Sequence, residues 1–231
     1  MQGHYHEPEN EHLHYSIGGA RHGVASQYFL CDQGDAVKFP SRLSYVEAAT
    51  LPCAYVTSWT AVVGFWPKMK AGDWVLCMGT GGCSIALLQM CVQVGALLPM
   101  RRSWRRCRAK AAGCKVIVSS SSDKKLDVAK SMGADYGVNY AKQNDWDQEI
   151  RKITNGRGVD FVLEVSGGDT LARSVRSVRR GGLVSIIGYC ESCYCDVATT
   201  ALTAGSQCRT TLPRQARTKT WPRRSCTIKP L

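Results

Sequence analysis

The most informative part of this chain reads Trp74-Val75-Leu76-Cys77-Met78-Gly79-Thr80-Gly81-Gly82-Cys83-Ser84. This apolar run meets three glycines and continues into residues 85–90, which have helical character. A strand, a glycine turn and a helix in this order bring backbone N–H groups and a positive helix end to one point, where a diphosphate can bind. Gly79 permits the tight turn, Gly81 allows the phosphates to approach, and Ser84 takes the place of a third glycine. The turn alone is not specific, since S-adenosylmethionine and flavin enzymes use the same geometry.

Beyond this stretch the chain predicts strands that alternate with helices. Four further strands are expected, at 115–119, 136–139, 159–164 and 183–188. Three helices are expected between them, at 123–132, 145–154 and 170–178. Several strands are continuously apolar, which is typical of a parallel sheet covered on both faces. With right-handed crossovers, the sequence predicts an α/β fold with a doubly wound parallel sheet and a ligand crevice at the carboxyl ends of the strands.

The part of the chain before the glycine turn carries other patterns. Residues 1–17 are polar and include four of the five histidines, so we expect a disordered N-terminus, with metal chelation as the alternative. Residues 23–30 predict a strand. Residues 44–52 predict a short helix that a capping box opens and Pro52 closes, and residues 53–63 predict a second helix.

Two segments do not fit the alternation. Residues 97–113 place an arginine-rich run where a few linking residues would suffice, and residues 189–231 show no periodicity. We expect an atypical basic insert and an irregular basic tail that contains cysteines and supplies no further strand. Residues 101–110 and 209–229 hold thirteen of the basic side chains, so the rest of the chain is close to neutral despite a net charge of +12. Because the basicity is confined to these segments, we do not expect nucleic acid as a partner.

Cysteine usage and hydropathy bound the class of protein. Most of the twelve cysteines stand singly within apolar elements, which favours buried thiols over disulfides. Cys190, Cys193 and Cys195 have metal-like spacing, so a structural zinc is the alternative to a poorly ordered cysteine-rich tail. The sequence shows neither a signal peptide nor an apolar run of membrane-spanning length. We therefore expect a cytoplasmic protein with no membrane partner.

Several motifs, taken in their order along the chain, resemble the medium-chain dehydrogenase/reductase superfamily. They are residues 43–54, the turn at 79–84, Ser120-Ser121-Ser122-Asp123-Lys124-Lys125-Leu126, Met132-Gly133-Ala134-Asp135, Gly156-Arg157-Gly158-Val159-Asp160 and Arg180-Gly181-Gly182. The likeness runs from about Gly18 to Gly188, with an interruption at 97–113. It is greatest to the zinc-independent, quinone-oxidoreductase-like and alcohol dehydrogenase-like members.

This resemblance implies a Rossmann dinucleotide-binding domain at 44–188, with residues 18–43 as the remnant of a GroES-like substrate domain. It also implies hydride transfer from NADPH to a small-molecule substrate, which would be a carbonyl, a quinone or an activated alkene. The family's substrate domain would precede Gly18 almost entirely, so we expect an incomplete form with weak or no activity and an exposed apolar domain face. Members of the superfamily commonly pair through the last strand of the nucleotide domain, which makes a homodimer possible.

The choice of cofactor follows from the end of the second predicted strand. An NAD site places a carboxylate there for the ribose hydroxyls, whereas this chain has four serines, at 119–122, before Asp123. Hydroxyls and a cation suit a 2′-phosphate, so we predict NADP(H). The resemblance adds Lys125 as a phosphate-binding lysine and Tyr140 as the tyrosine after the third strand; a solvated lysine and a half-buried loop aromatic are the alternatives. The candidate cofactor-binding residues are Gly79, Thr80, Gly81, Gly82, Cys83, Ser84, Ser121, Ser122, Lys125, Tyr140 and Gly188.

Few residues are candidates for the chemistry itself. We expect Thr57 and Ser58, on the second predicted helix, to face the nicotinamide end of the crevice, where a hydroxyl would orient the ring or the substrate; bonding to the backbone is the alternative. Cys53 falls where zinc alcohol dehydrogenases place a catalytic zinc ligand, but their other ligands belong to a region that this chain lacks. We therefore expect a buried thiol there and no metal. Such reductases need little acid–base machinery because the cofactor supplies the hydride.

Three other functions remain open at this point. A methyltransferase would share the glycine turn, although it normally carries an acidic residue after its second strand. A non-enzymatic NADPH-binding fragment or sensor would fit the missing substrate domain. A basic interaction protein would require strongly salt-dependent binding of RNA or DNA.

Overall fold

The structure, a computed structural model, describes residues 22–31, 33–63, 69–97, 113–167, 169–187 and 207–210. The chain divides into two units, one of residues 1–44 and 212–231 and the other of residues 45–211. The described part of the first unit is irregular and largely exposed, with a 3₁₀ turn at Gln33–Asp35. The strand predicted at 23–30 is wrong, because apolar side chains there, such as Tyr28 and Leu30, are exposed and bury no face. Residues 1–17 lie outside the described residues, and the assignment of 18–43 as a domain remnant stays a prediction.

The second unit is built from strands that alternate with helices. Its helices are α1 (Tyr45–Ala49), α2 (Val56–Val63), α3 (Gly82–Leu97), α4 (Asp123–Ser131), α5 (Trp146–Ile153) and α6 (Asp169–Ser177). A π-helical turn, Leu51–Tyr55, precedes α2, where we predicted the start of one continuous helix. The strands are β1 (Trp74–Cys77), β2 (Lys115–Ser120), β3 (Tyr136–Asn139), β4 (Val159–Glu164), β5 (Val178–Ile186) and β6 (Gln207–Thr210).

These strands form one parallel sheet in the order β3-β2-β1-β4-β5-β6. The order reverses between β1 and β4, which are direct neighbours although two strands separate them in the chain. In doubly wound sheets, ligands bind outside the carboxyl ends of the strands at such a reversal. We call this region, between the turns that follow β1 and β4, the crevice. The predicted α/β fold with a doubly wound parallel sheet is confirmed.

Apolar side chains on the strands alternate between the two faces of the sheet. One face packs against α2, α3 and α4 and includes Val75, Cys77, Val116, Val118 and Leu163. The opposite face packs against α5 and α6 and includes Leu76, Met78, Ile117, Val162 and Val184. Because both faces are covered, the central strands are apolar at nearly every position, as the sequence predicted.

The amino edge of the sheet is held by a buried carboxylate on β4. Asp160 is 1% exposed and accepts the Trp74 N–H of β1 over 2.8 Å. The Arg157 guanidinium makes two bonds to it, of 2.9 and 2.7 Å, and Arg179 Nε donates over 2.5 Å. Burial alone would raise the pKa of Asp160, but the bonds from Arg157 and Arg179 outweigh it and hold the pKa below its ordinary value.

Two observations correct the predicted end of the sheet. Strand β5 begins at Val178, five positions earlier than the predicted 183–188, and its pairing with β4 shifts register between Val159 and Phe161. The sheet also gains β6, which pairs in parallel with β5 from Gln207 onward. The expectation that residues 189–231 supply no further strand is therefore wrong, because a short polar segment can complete a sheet edge through backbone bonds alone.

Residues on either side of the predicted insert are hydrogen-bonded to each other or to the residues before β1. The Cys114 N–H donates to the Cys91 carbonyl over 3.3 Å, and the Gly72 N–H donates to the Gly113 carbonyl over 3.2 Å. Residues 98–112, which make up most of the insert predicted at 97–113, lie outside the described residues. Within the described ranges, no helix combines the length and apolar character needed to cross a membrane.

Candidate functional site

The turn between β1 and α3 lies at the carboxyl edge of the sheet. Gly79 has a φ of +75°, a left-handed conformation that glycine adopts at little cost, and its N–H donates to Ser119 Oγ over 3.2 Å. A Cβ at Gly81 would meet no heavy atom within 4 Å, so the backbone there borders open space. Gly82 begins α3, whose first N–H groups have no carbonyl partner within the helix. This combination of open space, helix N-terminus and exposed glycine backbone can receive an anion.

Two buried hydroxyl groups hold the first turn of α3 in place. Ser84, at the third position of the glycine motif, is 1% exposed and donates to the Met78 carbonyl over 2.6 Å. Ser58 on α2 is fully buried, with its Oγ 2.8 Å from the Ala54 carbonyl and 2.7 Å from the Cys83 carbonyl. Its hydroxyl therefore joins α2 to α3, and the expectation that Ser58 faces the crevice is wrong.

The residues proposed for chemistry stand close to the same helix. Thr57 is half-buried on α2, and its role in orienting ring or substrate stays a prediction. Cys53 is exposed, so the expected burial of its thiol is wrong: the π-helical turn projects this residue outward. Burial raises the pKa of the Cys83 thiol, and the neighbouring Cys53 raises it further. Among the described residues, no group of three or more His, Cys, Asp or Glu side chains is arranged to hold a metal.

The four serines at the end of β2 divide into two pairs. Ser119 and Ser120 are buried, and their oxygens accept the N–H groups of Gly79 and Ser122. Ser121 is exposed and Ser122 is half-buried. The Ser122 hydroxyl makes no capping bond to α4, although the residue occupies the N-cap position with extended backbone. Two hydroxyls thus shape the strand end, and the two predicted for the cofactor lie at the surface.

Lys125 and Tyr140 lie next to this strand end. Lys125 is exposed in the first turn of α4, three positions after Ser122. Tyr140 follows β3 and is 42% exposed, and its N–H donates to the Ser120 carbonyl over 3.1 Å. The structure therefore brings four of the predicted cofactor residues to one corner, which we call the serine corner: Ser121, Ser122, Lys125 and Tyr140. Gly188, the last predicted cofactor residue, lies outside the described residues.

The first carboxylate after β2 is already engaged. Asp123 Oδ1 accepts Asn139 Nδ2 over 2.7 Å, and its Oδ2 accepts Lys142 Nζ over 2.5 Å. The bonds from Lys142 and Asn139 hold the pKa of Asp123 below its ordinary value. Both of its oxygens are thus bonded to residues on or just after β3. The sequence could not show this arrangement, because its partners are 16 and 19 positions away.

The turn after β4 forms the other wall of the crevice and contains a fully buried carboxylate. Glu164 is 0% exposed. Its Oε1 accepts the N–H groups of Ser166 and Gly167 over 2.9 and 3.1 Å and the Thr170 hydroxyl over 2.9 Å. Its Oε2 accepts the Ser174 hydroxyl. From the sequence, Glu164 was predicted only as the last residue of a strand. The sequence signal for a buried, hydrogen-bonded carboxylate was an acidic residue that ends an apolar run and is followed by hydroxyl residues spaced along a helix.

Comparison with known proteins by sequence gives a family model and several relatives. A family model described as zinc-binding dehydrogenase matches residues 108–219. A zinc-type alcohol dehydrogenase-like protein of Schizosaccharomyces pombe is 38% identical over 186 residues, which are 80% of this chain and 49% of that protein. Quinone oxidoreductase-like protein 2 of Rattus norvegicus is 27% identical over 169 residues, which are 73% of this chain and 43% of that protein. The chain thus spans about half the length of the curated relatives it matches.

Two solved structures of dehydrogenases also resemble this chain. An alcohol dehydrogenase from Sinorhizobium meliloti matches with a TM-score of 0.71 and 35% identity, over 87% of this chain and 54% of that one. An NAD-dependent alcohol dehydrogenase matches with a TM-score of 0.66 and 28% identity, over 84% of this chain and 51% of that one. Fold and glycine turn thus define a nucleotide-binding domain of the Rossmann type. With the relatives and the order of the motifs, the chain belongs to the medium-chain dehydrogenase/reductase superfamily, and the resemblance stated from the sequence is confirmed.

Proposed function

We propose that this chain is the NADPH-binding part of an oxidoreductase that transfers hydride to a carbonyl, a quinone or an activated alkene. The observation that carries the proposal is the serine corner, where Ser121 and Lys125 are exposed while the carboxylate of Asp123 is bonded to Asn139 and Lys142. A 2′-phosphate needs hydrogen-bond donors and a cation, whereas a ribose diol needs an available carboxylate. The names of the relatives, which include alcohol dehydrogenases and quinone oxidoreductase-like proteins, support the reaction class.

The residues present fit the cofactor at both of its phosphate groups. The diphosphate would lie against the backbone of Gly79 to Cys83 at the amino end of α3, where a Cβ at Gly81 finds no neighbour. The 2′-phosphate would lie at the serine corner. When bound, the cofactor supplies the hydride, and the role of this chain is to hold it with its nicotinamide toward Thr57 on α2. The described residues offer no group of three or more metal ligands, and Cys190, Cys193 and Cys195, the alternative zinc ligands, lie outside them.

Titration with NADPH and with NADH tests the cofactor assignment. We expect tighter binding of NADPH, followed by coenzyme fluorescence and by the rise in melting temperature. Substitution of Lys125 by Ala should cost about 1.5–3 kcal/mol of NADPH binding, the size of a hydrogen bond to a charged group, and leave NADH binding unchanged. Equal affinity of the unsubstituted protein for the two coenzymes would contradict the assignment.

A second variant tests the diphosphate site separately. Gly81→Ala adds a methyl group to a position with open space and an ordinary φ, so the unfolding free energy should change by no more than about 0.5 kcal/mol. The same methyl group would meet the phosphates, so affinity for both coenzymes should fall at least about tenfold, or about 1.4 kcal/mol. Gly34→Ala, also without a neighbour within 4 Å, is the control and should change neither quantity. Unchanged binding by Gly81→Ala would place the diphosphate elsewhere.

A non-enzymatic NADPH-binding fragment or sensor is the second candidate, because the serine corner and the open turn at Gly81 concern the binding of the coenzyme and not the transfer of hydride. Binding of NADPH without turnover of quinones, enals or alcohols would favour it, and turnover would favour the oxidoreductase.

The other expectations from the sequence concern a different reaction, the oligomeric state and the location. Membership of a dehydrogenase superfamily argues against a methyltransferase. The homodimer predicted from the resemblance would use the outer edge of β6, and it remains a proposal, as does the cytoplasmic location.

A further inference from the structure

We propose that Lys142 sets the preference for NADPH by neutralising Asp123, so that the serine corner accepts a 2′-phosphate beside a carboxylate that would otherwise repel it. The inference rests on the proposed function and names the residue pair that decides its cofactor specificity. In this role Lys142 is a positioning residue, because it acts through Asp123.

The position of Asp123 is one where the charge of a side chain affects the choice between NADH and NADPH. It is the first residue of α4 and directly follows Ser121 and Ser122, two of the predicted cofactor residues. A carboxylate beside a ribose accepts bonds from the 2′- and 3′-hydroxyls, and the same carboxylate repels a 2′-phosphate. With its side chain unengaged, Asp123 would therefore favour the unphosphorylated coenzyme.

The structure shows how this effect is cancelled. Lys142 Nζ stands 2.5 Å from Asp123 Oδ2, and Asn139 Nδ2 stands 2.7 Å from Oδ1, so both carboxylate oxygens are occupied. The Lys142 ammonium removes the net negative charge, and the Asn139 amide fixes the direction of the carboxylate. The bonds from Lys142 and Asn139 keep the pKa of Asp123 low, so the carboxylate stays ionised and paired at neutral pH.

The same loop connects this pair to the serine corner. Tyr140 stands between Asn139 and Lys142 in the chain, and its N–H donates to the Ser120 carbonyl at the end of β2. The Ala141 N–H donates to Asn139 Oδ1 over 3.0 Å, which orients the amide that holds Asp123. The backbone that carries the two partners of Asp123 is thereby bonded to the strand end on which the adenosine ribose would rest.

The experiment measures Kd for NADPH and NADH, at low ionic strength, in a double-mutant cycle of Lys142→Met and Asp123→Asn. The ion pair is exposed, with side chains 68% and 54% accessible, so we expect a moderate effect. Lys142→Met should raise the Kd for NADPH about three- to tenfold and change that for NADH less than about twofold. Adding Asp123→Asn should restore the NADPH Kd to within about twofold of the unsubstituted protein, because no charge remains to be neutralised.

Two further variants serve as controls. Lys152→Met breaks the exposed pair with Glu149 on α5, 3.5 Å long, and should leave both Kd values unchanged. Lys142→Arg keeps the charge and should retain the preference for NADPH.

Each contrary result has its own meaning. If Lys142→Met weakens NADPH equally with and without Asp123→Asn, Lys142 contacts the phosphate directly and the inference is overturned. Equal weakening of NADH and NADPH overturns it as well. Failure of the unsubstituted protein to bind NADPH would instead overturn the proposed function, and this inference with it.

Discussion

The two ends of strand β4 each bury a carboxylate, and they stabilise it by different means. At the amino end, Asp160 is bonded to the guanidinium groups of Arg157 and Arg179 and to the Trp74 N–H. At the carboxyl end, the bonds that the structure gives to Glu164 come from neutral donors, namely two backbone N–H groups and two hydroxyls.

This difference shows how one strand can serve two purposes. Asp160 is compensated by full positive charges and fastens β1, β4 and β5 together at the edge away from the crevice. Glu164 lies at the crevice edge, where its bonds to neutral donors shape the turn into α6. The N–H groups of Ser166 and Gly167 in that turn already bond to Glu164, which favours phosphate at the neighbouring turn after β1, where the N–H groups of α3 begin. The asymmetry supports placing the diphosphate at Gly79–Gly82.

The largest effect is expected from removing the carboxylate at the crevice end. Glu164→Ala leaves its four donors without their acceptor and opens a cavity, so the free energy of unfolding should fall by about 3–5 kcal/mol in a denaturant titration. Glu164→Gln keeps the shape and one carbonyl acceptor and should lose less than half as much. Equal losses in the two variants would show that packing, and not hydrogen bonding, holds the turn.

An intermediate, pH-dependent effect is expected at the other end. Asp160→Asn leaves Arg179 without its buried anion, so stability should fall by about 2–3 kcal/mol at pH 7. Because the pKa of Asp160 is lowered by folding, its contribution is complete above the unfolded value of about 3.9 and is lost as pH falls through the folded value. Urea titrations from pH 7 to pH 3 should therefore show the difference between the two proteins shrinking below about pH 4. A constant difference would assign it to packing.

The smallest effect is expected beneath the glycine turn. Ser84→Ala removes a buried bond to the Met78 carbonyl and should cost about 1 kcal/mol of stability. Ser131→Ala removes a bond of similar length, 2.7 Å to the Val128 carbonyl, at an exposed position and should cost less than about 0.5 kcal/mol. Equal costs in thermal unfolding would show that the burial of Ser84 is of no consequence.

Much of the fold could be predicted from the sequence because glycines mark the turns between its strands and helices. The predicted bounds of β3 and β4 match the structure, since Gly133 and Gly158 mark the turns before two clear strands. The early start of β5 was not predictable, because Arg179-Arg180-Gly181 reads as a turn and the register shift opposite Val159 absorbs the irregularity. Strand β6 was missed because residues 207–210 carry no apolar alternation and are strand only through pairing with β5.

The candidate site could be predicted where its residues are neighbours in the sequence. The glycine turn occupies one short stretch, as do three residues of the serine corner, Ser121, Ser122 and Lys125, and the structure places both at the carboxyl edge of the sheet. The engagement of Asp123 by Lys142 and the burial of Ser58 against Cys83 depend on residues 19 and 25 positions away. Such bonds follow from the packing of helices on the sheet, which residue patterns describe only in outline.

The bond between the Cys114 N–H and the Cys91 carbonyl offers a practical opening for protein engineering. Because Cys91 and Cys114 lie within hydrogen-bonding distance of each other, the chain between them can be lengthened without stretching the sheet between β1 and β2. A fluorescent module inserted after Leu97, where α3 ends, would be attached at the end of α3 opposite the glycine turn.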